Sequence, residues 1–164
     1  RLYTLGYPNE EVKYGFLNFV ASMYAHLPET ETPFYIGKFI QELESGNTEA
    51  FLTRLKAFFA DIPYELNDRT ERHYQVVFYI VFKLFTEAEV RSAQGRADAI
   101  VKTPRYIYVF EFKLRGTAEE AIRQIDDRGY PIPYTADERE VVKVGVAFDA
   151  ATRNLGEWLI EKTL

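Results

Sequence analysis

The chain has 164 residues, a formal net charge of −5 at pH 7, and no cysteine. Its hydrophobic share of 47% and aromatic share of 16% predict a dense folded core and exclude a disordered chain. The lack of cysteine excludes disulfides and thiol catalysis, and with only two histidines it leaves too few ligands for a tetrahedral zinc site.

Helical periodicity organises the first third of the chain. Three helices are predicted, and their starts, in chain order, are Asn9, Thr32-Pro33 and Asn47 or Thr48. None of them carries a convergent set of polar side chains. We interpret residues 1–64 as a helical extension that caps the rest or connects it to a missing upstream part, and residues 65–164 as the functional core. The chain begins at arginine and its only methionine is Met23, so we expect it to be part of a longer protein.

Helices and strands alternate in the predicted core. In chain order these are a long helix at about 67–85, strands at 87–91, 97–101 and 106–114, a helix at 117–128, and strands at 140–148 and 158–161. A turn at 102–105 joins the second and third strands into an antiparallel hairpin. This order predicts an α/β fold in which helices flank both faces of a mixed β-sheet.

Two carboxylates are predicted to converge on that hairpin. Glu111 lies in YIYVFEFKL, the run with the highest strand propensity in the chain. Counting back from the turn with Val101 opposite Tyr106, Asp98 falls opposite residues 109–111, at about 5–8 Å between Cβ atoms. That separation suits two carboxylates that share one cation.

The neighbouring lysine completes a predicted metal site. Alternation along the strand places Lys113 on the same face as Glu111. One or two carboxylates and a substrate phosphate are enough to hold Mg²⁺, and Mn²⁺ takes similar ligands. The lysine is then expected to stabilise charge on a phosphoryl oxygen or to orient an attacking water. The alternative for an E-x-K pair is two solvated charges, but this strand is too apolar to be a free edge.

These segments resemble the PD-(D/E)XK nuclease superfamily. The resemblance is carried by YTLGYPNEEV, GRADAIV, YIYVFEFK, GTAEEAIRQIDDRGY and KVGVAFDAATRNLGEW. Alanine precedes Asp98 where the motif has its proline. More narrowly, the sequence is similar to the nuclease-like domain that follows AAA-type ATPase-like modules in many bacterial proteins. The resemblance implies a restriction-endonuclease-like fold, an active site of Asp98, Glu111 and Lys113, and an upstream ATPase-like domain as a partner.

The resemblance also suggests supporting residues. Gln124 is implied as a catalytic member, and the predicted stripe that it shares with Ile125 and Arg128 would turn it toward the sheet. Its alternative is a boundary glutamine at the edge of that stripe. Glu89 and Glu71 are implied as further metal ligands. Their alternatives are the solvated face of an ordinary strand and a surface acid near a helix start.

The distribution of charge favours a phosphate partner for the hairpin. The net negative charge argues against a protein that coats nucleic acid by bulk electrostatic attraction. Residues 91–115, however, hold six Lys or Arg against two Asp or Glu, whereas residues 1–70 hold six against ten. Within and beyond this positive segment, Arg96, Arg115 and Arg128 are predicted nucleic-acid contacts. Scattered, solvated cations are the alternative.

The sequence therefore predicts a metal-dependent deoxyribonuclease that hydrolyses phosphodiester bonds with Mg²⁺ or Mn²⁺. A noncatalytic interaction module that kept the nuclease scaffold beside an ATPase-like region is the alternative, and an RNA-processing enzyme is a further one. No apolar run is long enough to span a membrane, and the first ten residues resemble neither a signal peptide nor an anchor. We therefore expect a cytoplasmic protein with no membrane partner.

Overall fold

The structure is a computed structural model. It describes Glu11, residues 32–60, Phe82, residues 87–93 and residues 96–163. The predicted helix at Asn9 lies outside these described residues, and so does nearly all of the helix predicted at 67–85, of which Phe82 is the described part.

Two helices form the described part of the N-terminal region. Helix α1 spans Thr32–Glu44 and helix α2 spans Thr48–Ala60, as the sequence predicted. Gly46 turns the chain between them with a φ of 80°, a left-handed conformation that favours glycine. Asn47 then caps α2, because its Oδ1 accepts a hydrogen bond from the Ala50 backbone N at 3.2 Å.

Within the described residues, five strands form one sheet in the order β1-β2-β3-β4-β5. The strands are β1 Glu87–Ala93, β2 Arg96–Lys102, β3 Tyr106–Lys113, β4 Glu140–Asp149 and β5 Asn154–Thr163. Only the β3–β4 pair is parallel, and helix α3, Ala118–Asp127, lies between these two strands in the chain. The predicted mixed sheet is therefore confirmed, and its last strand is longer than the predicted 158–161.

Strand β3 is buried on both faces, which is why its sequence reads as a continuous apolar run. On one face Tyr108, Phe110 and Phe112 form a column of rings with neighbouring centroids 5.8 and 5.9 Å apart. Aromatic residues of both N-terminal helices join this column in one core. On the other face, Ile107 and Val109 pack against apolar residues of α3. Helices thus flank both faces of the sheet, as predicted.

A hydrogen bond ties the N-terminal helices to the sheet. The Tyr108 hydroxyl donates to the backbone oxygen of Leu43, in the last turn of α1, at 2.6 Å. Burial raises the pKa of Tyr108 well above its ordinary value, so the hydroxyl remains a donor. Residues 32–60 therefore share a core with the sheet. The boundary predicted between residues 64 and 65 lies outside the described residues and stays a prediction.

Helix α3 approaches the sheet closely at Gly145 of β4. A Cβ atom built there would lie 2.6 Å from the Ala118 backbone oxygen and 2.9 Å from the Ile122 backbone nitrogen. Gly145 is paired with Glu111 across the β3–β4 ladder. The missing side chain therefore lets the helix backbone settle beside Glu111.

We predict that Gly145→Ala lowers the free energy of unfolding by about 1–3 kcal/mol, because the added methyl group must push the α3 backbone off the sheet. Urea denaturation measures the effect. Gly37→Ala in α1 is the matched control, since its Cβ would meet nothing within 4 Å. That substitution is expected to be neutral or to add up to about 1 kcal/mol. Equal effects of the two substitutions would contradict the close packing of α3.

Candidate active site

Asp98 and Glu111 face each other directly across the β2–β3 ladder. The prediction that Val101 lies opposite Tyr106 is wrong, because Val101 pairs with Tyr108. Thr103 is the reason for this shift. Its backbone N and its hydroxyl both donate to the Tyr106 backbone oxygen, at 2.8 and 3.1 Å. The turn is therefore closed by Thr103 and Tyr106, and not by Val101 and Tyr106 as predicted.

A shift of two residues leaves every side chain on its predicted face, because strand side chains alternate with a period of two. The expected range opposite Asp98 ran from Val109 to Glu111, and the structure selects Glu111. The two carboxylates consequently lie on the face of the sheet that α3 covers.

Both carboxylates are buried. Glu111 has no exposed surface and Asp98 retains 7%. Two neighbouring carboxylates removed from water repel one another and lose their hydration, so a nearby cation and hydrogen-bond donors are needed to stabilise the pair.

Arg128 contacts both of these acids. Its Nη1 lies 3.2 and 3.3 Å from the two carboxylate oxygens of Glu111 and 3.4 Å from Oδ2 of Asp98. The Arg128 side chain is 21% exposed, so the guanidinium closes the acidic pair from the solvent side. Arg128 is the C-cap residue of α3 and lies one helical turn after Gln124.

Gln124 also reaches Glu111. With its amide nitrogen toward the acid, Gln124 donates to Oε1 of Glu111 at 2.8 Å, and its amide oxygen accepts from Nη2 of Arg128 at 2.9 Å. In the opposite amide orientation, the Gln124 oxygen would face the Glu111 carboxylate and its nitrogen would face Nη2 of Arg128, so that neither could form a hydrogen bond. The structure therefore brings Gln124 to the carboxylates, and its catalytic role stays a prediction.

Tyr130 is a member of the site whose contact with the acidic pair the sequence did not predict. Its hydroxyl donates to Oδ2 of Asp98 at 2.6 Å and accepts from Nη1 of Arg128 at 3.4 Å. The turn after α3 places it there. Gly129 has a φ of 65° and donates to the Asp126 oxygen, while the Tyr130 nitrogen donates to the Ile125 oxygen, which together form a Schellman motif.

Lys113 lies further along the same face of β3. Its side chain is 20% exposed, and its Nζ is 3.9 Å from Oε2 of Glu120. Glu120 belongs to the capping box that begins α3, in which it accepts from the Thr117 nitrogen and its own nitrogen donates to the Thr117 hydroxyl. The start of α3 therefore holds an acid beside the lysine.

The other residues predicted for the site lie in the loop after β3, in the strand ladders, or outside the described residues. Arg115 is exposed in the loop after β3. Glu89 pairs with Ile100 in the β1–β2 ladder, and Arg96 pairs with Lys113 in the β2–β3 ladder, but the side chains of Glu89 and Arg96 lie outside the described residues. Glu71 lies outside them entirely.

The described carboxylates fit a hard divalent ion that keeps several waters. Asp98 and Glu111 already direct three oxygens at one cationic nitrogen of Arg128, which shows that both can face a shared cation. Mg²⁺ is commonly held by one or two carboxylates with waters and phosphate oxygens. Across residues 98–163 and the other described side chains, no group of three or more His, Cys, Asp or Glu residues could hold a metal.

A mixed sheet with flanking helices and a buried Asp–Glu pair on its central hairpin defines a restriction-endonuclease-like protein. A sequence profile described as the PD-(D/E)XK nuclease superfamily matches residues 69–158, which is more than half of the chain. The chain belongs to the PD-(D/E)XK nuclease superfamily.

One curated relative is a protein of Azotobacter chroococcum mcd 1 described as "Uncharacterized protein in vnfD 5'region". It is 33% identical over 170 residues, which cover 97% of this chain and 33% of the relative. The chain thus spans about a third of the relative's length. No solved structure matches the chain significantly. Among the helices that the structure describes, none is long and apolar enough to cross a membrane.

We predict that Tyr130→Phe lowers the free energy of unfolding by about 1.5–3 kcal/mol, because a buried carboxylate loses a hydrogen bond from a hydroxyl group. The midpoint of urea unfolding at pH 7 measures the loss.

Tyr134→Phe is the matched control. That change keeps the ring over which Lys102 lies, at 5.3 Å from the centroid, and should shift the midpoint little. A Tyr130→Phe variant as stable as this control would show that the contact with Asp98 contributes nothing.

Proposed function

We propose that this chain is the nuclease domain of a longer protein and that it hydrolyses phosphodiester bonds in DNA with Mg²⁺ or Mn²⁺. The observation that carries the proposal is the direct pairing of Asp98 with Glu111, buried on one face and turned toward a common cation. Membership of the nuclease superfamily supports phosphodiester hydrolysis as the reaction.

Asp98 and Glu111 would hold the divalent ion. When bound, this ion supplies Lewis acidity and lowers the pKa of the attacking water. Gln124 would fix the orientation of Glu111 by donating to Oε1, with both carboxylate oxygens facing the position of the cation. Lys113, two residues after Glu111 on β3, would stabilise the negative charge that develops on the phosphoryl oxygens.

The charge around the site supports a nucleic-acid substrate. Arg115 is exposed in the loop that leaves β3, two residues after Lys113. There it would neutralise a backbone phosphate near the acidic pair. Arg96, the first residue of β2, is proposed as a further phosphate contact.

A second candidate is a noncatalytic interaction module on the same scaffold. It is favoured by one observation, namely that Arg128 supplies the acidic pair with a cation from within the chain. In that case the acids serve stability rather than metal binding. Under either candidate, we propose an ATPase-like domain upstream in the full-length protein, where the relative's much greater length leaves room for further domains.

We predict that Asp98→Asn reduces plasmid nicking in Mg²⁺ or Mn²⁺ by about a hundredfold or more, because the metal's contribution to the barrier is several kcal/mol. Asp127→Asn is the control, since it makes the same chemical change at a solvent-exposed acid that is not one of the buried pair. It should nick at the parent rate.

The outcomes separate the candidates. Loss of nicking in the Asp98 variant alone supports the nuclease. Equal nicking by the parent and by both variants would place the activity elsewhere and overturn the proposal. No nicking and no Mn²⁺ binding by the parent chain would favour the interaction module. Competition by RNA at a lower concentration than DNA would instead identify an RNA-processing enzyme.

A further inference from the structure

The Arg128 guanidinium lies among the oxygens that a divalent ion would use. One nitrogen, Nη1, is within 3.4 Å of three carboxylate oxygens drawn from both Asp98 and Glu111. A second nitrogen, Nη2, donates to the Gln124 amide oxygen at 2.9 Å. The arginine is therefore held in this place by a network of contacts from two strands and from its own helix.

Nη1 and a divalent ion cannot occupy the same position between these three oxygens. Mg²⁺ binds its ligands at about 2.0–2.1 Å, so an ion coordinated by the pair would come within close range of Nη1. Two cations at such a distance, in a site whose acids are buried, repel strongly. Binding of the metal therefore requires the guanidinium to move away.

The Arg128 guanidinium has a path to solvent. The Arg128 side chain is 21% exposed, whereas Glu111 has no exposed surface. Arg128 also lies at the last turn of α3, where the chain reverses at Gly129, and its Cζ is 5.9 Å from the centroid of the Tyr130 ring. It can rotate toward solvent while the two acids stay in the sheet.

We propose that Arg128 is a built-in competitor of the divalent ion at the acidic pair. Without metal it acts as the counter-ion that keeps Asp98 and Glu111 together, and on metal binding it gives up this position. The inference rests on the proposed function, because it assigns a regulator to the same metal site. It also means that Arg128 can contact a substrate phosphate only after it leaves the carboxylates.

Calorimetric titration with Mn²⁺ alone, at pH 7 and fixed ionic strength, tests the proposal. Arg128→Gln should bind Mn²⁺ at least about tenfold more tightly than the parent chain, because the competing cation is gone. Arg123→Gln is the control for long-range charge, since it removes an exposed arginine from the same helix. Its affinity should stay within about twofold of the parent's, because exposed charges are well screened.

Arg128→Lys is the second variant, to be used if Arg128→Gln does not fold. Should circular dichroism show that the glutamine variant is unfolded, the lysine variant replaces it. Its single ammonium group keeps the charge but cannot form the forked contacts to Glu111 and Gln124. It should bind Mn²⁺ about threefold or more tightly than the parent, as a weaker competitor.

The failures of the two proposals are distinguishable. If the parent binds Mn²⁺ and the folded Arg128 variant binds it no more tightly than Arg123→Gln does, the competition is overturned while the metal site stands. If neither the parent nor any variant binds Mn²⁺, the metal-dependent function is overturned and the competition with it.

Discussion

Burial of two facing carboxylates is the constraint on which this structure depends. Asp98 and Glu111 lie opposite one another beneath a helix, where both lose water and repel. A protein keeps such a pair only if cations and donors compensate it, and Arg128, Gln124 and Tyr130 provide them here. In the proposed function a divalent ion would offset the same repulsion, since it would bring two positive charges to these oxygens.

The fold supplies this compensation from one short stretch of chain. Helix α3 begins with the capping box beside Lys113, rests against Gly145, and ends in the Schellman turn that returns Tyr130 to Asp98. Strand β3 is fixed from the other face by its column of aromatic rings. Glu111 therefore lies on a strand that is covered on both faces, Asp98 lies opposite it on β2, and their cationic partner Arg128 lies at the more exposed end of a helix. This difference in exposure fits the proposed exchange of Arg128 for a divalent ion.

Much of the fold and the acidic pair could be predicted from sequence, because they depend on local periodicity. Strand alternation placed Asp98 and Glu111 on one face even though the predicted register was two residues off. An error of two residues changes which residue is the cross-strand partner, but it leaves each side chain on the same face of the sheet. Helical spacing turned Gln124 toward the sheet. The bridge from Arg128 could not be predicted, because the direction of a long side chain at a helix end depends on tertiary contacts. One feature of the sequence indicated the position of Tyr130: the glycine before it, because a glycine just after a helix end predicts a turn that reverses the chain. The roles of Glu71 and Glu89 and the upstream ATPase-like domain remain predictions.

A double-mutant cycle in Mn²⁺ affinity tests most directly whether Asp98 and Glu111 form one metal site. Calorimetry on the parent, Asp98→Asn, Glu111→Gln and the double variant gives the coupling free energy of the two acids. If both carboxylates hold the same ion, each single substitution weakens binding about tenfold or more, and the double variant loses far less than the product of the two losses. Losses that multiply independently, or a Glu111 variant that binds as the parent does, would contradict a shared ion.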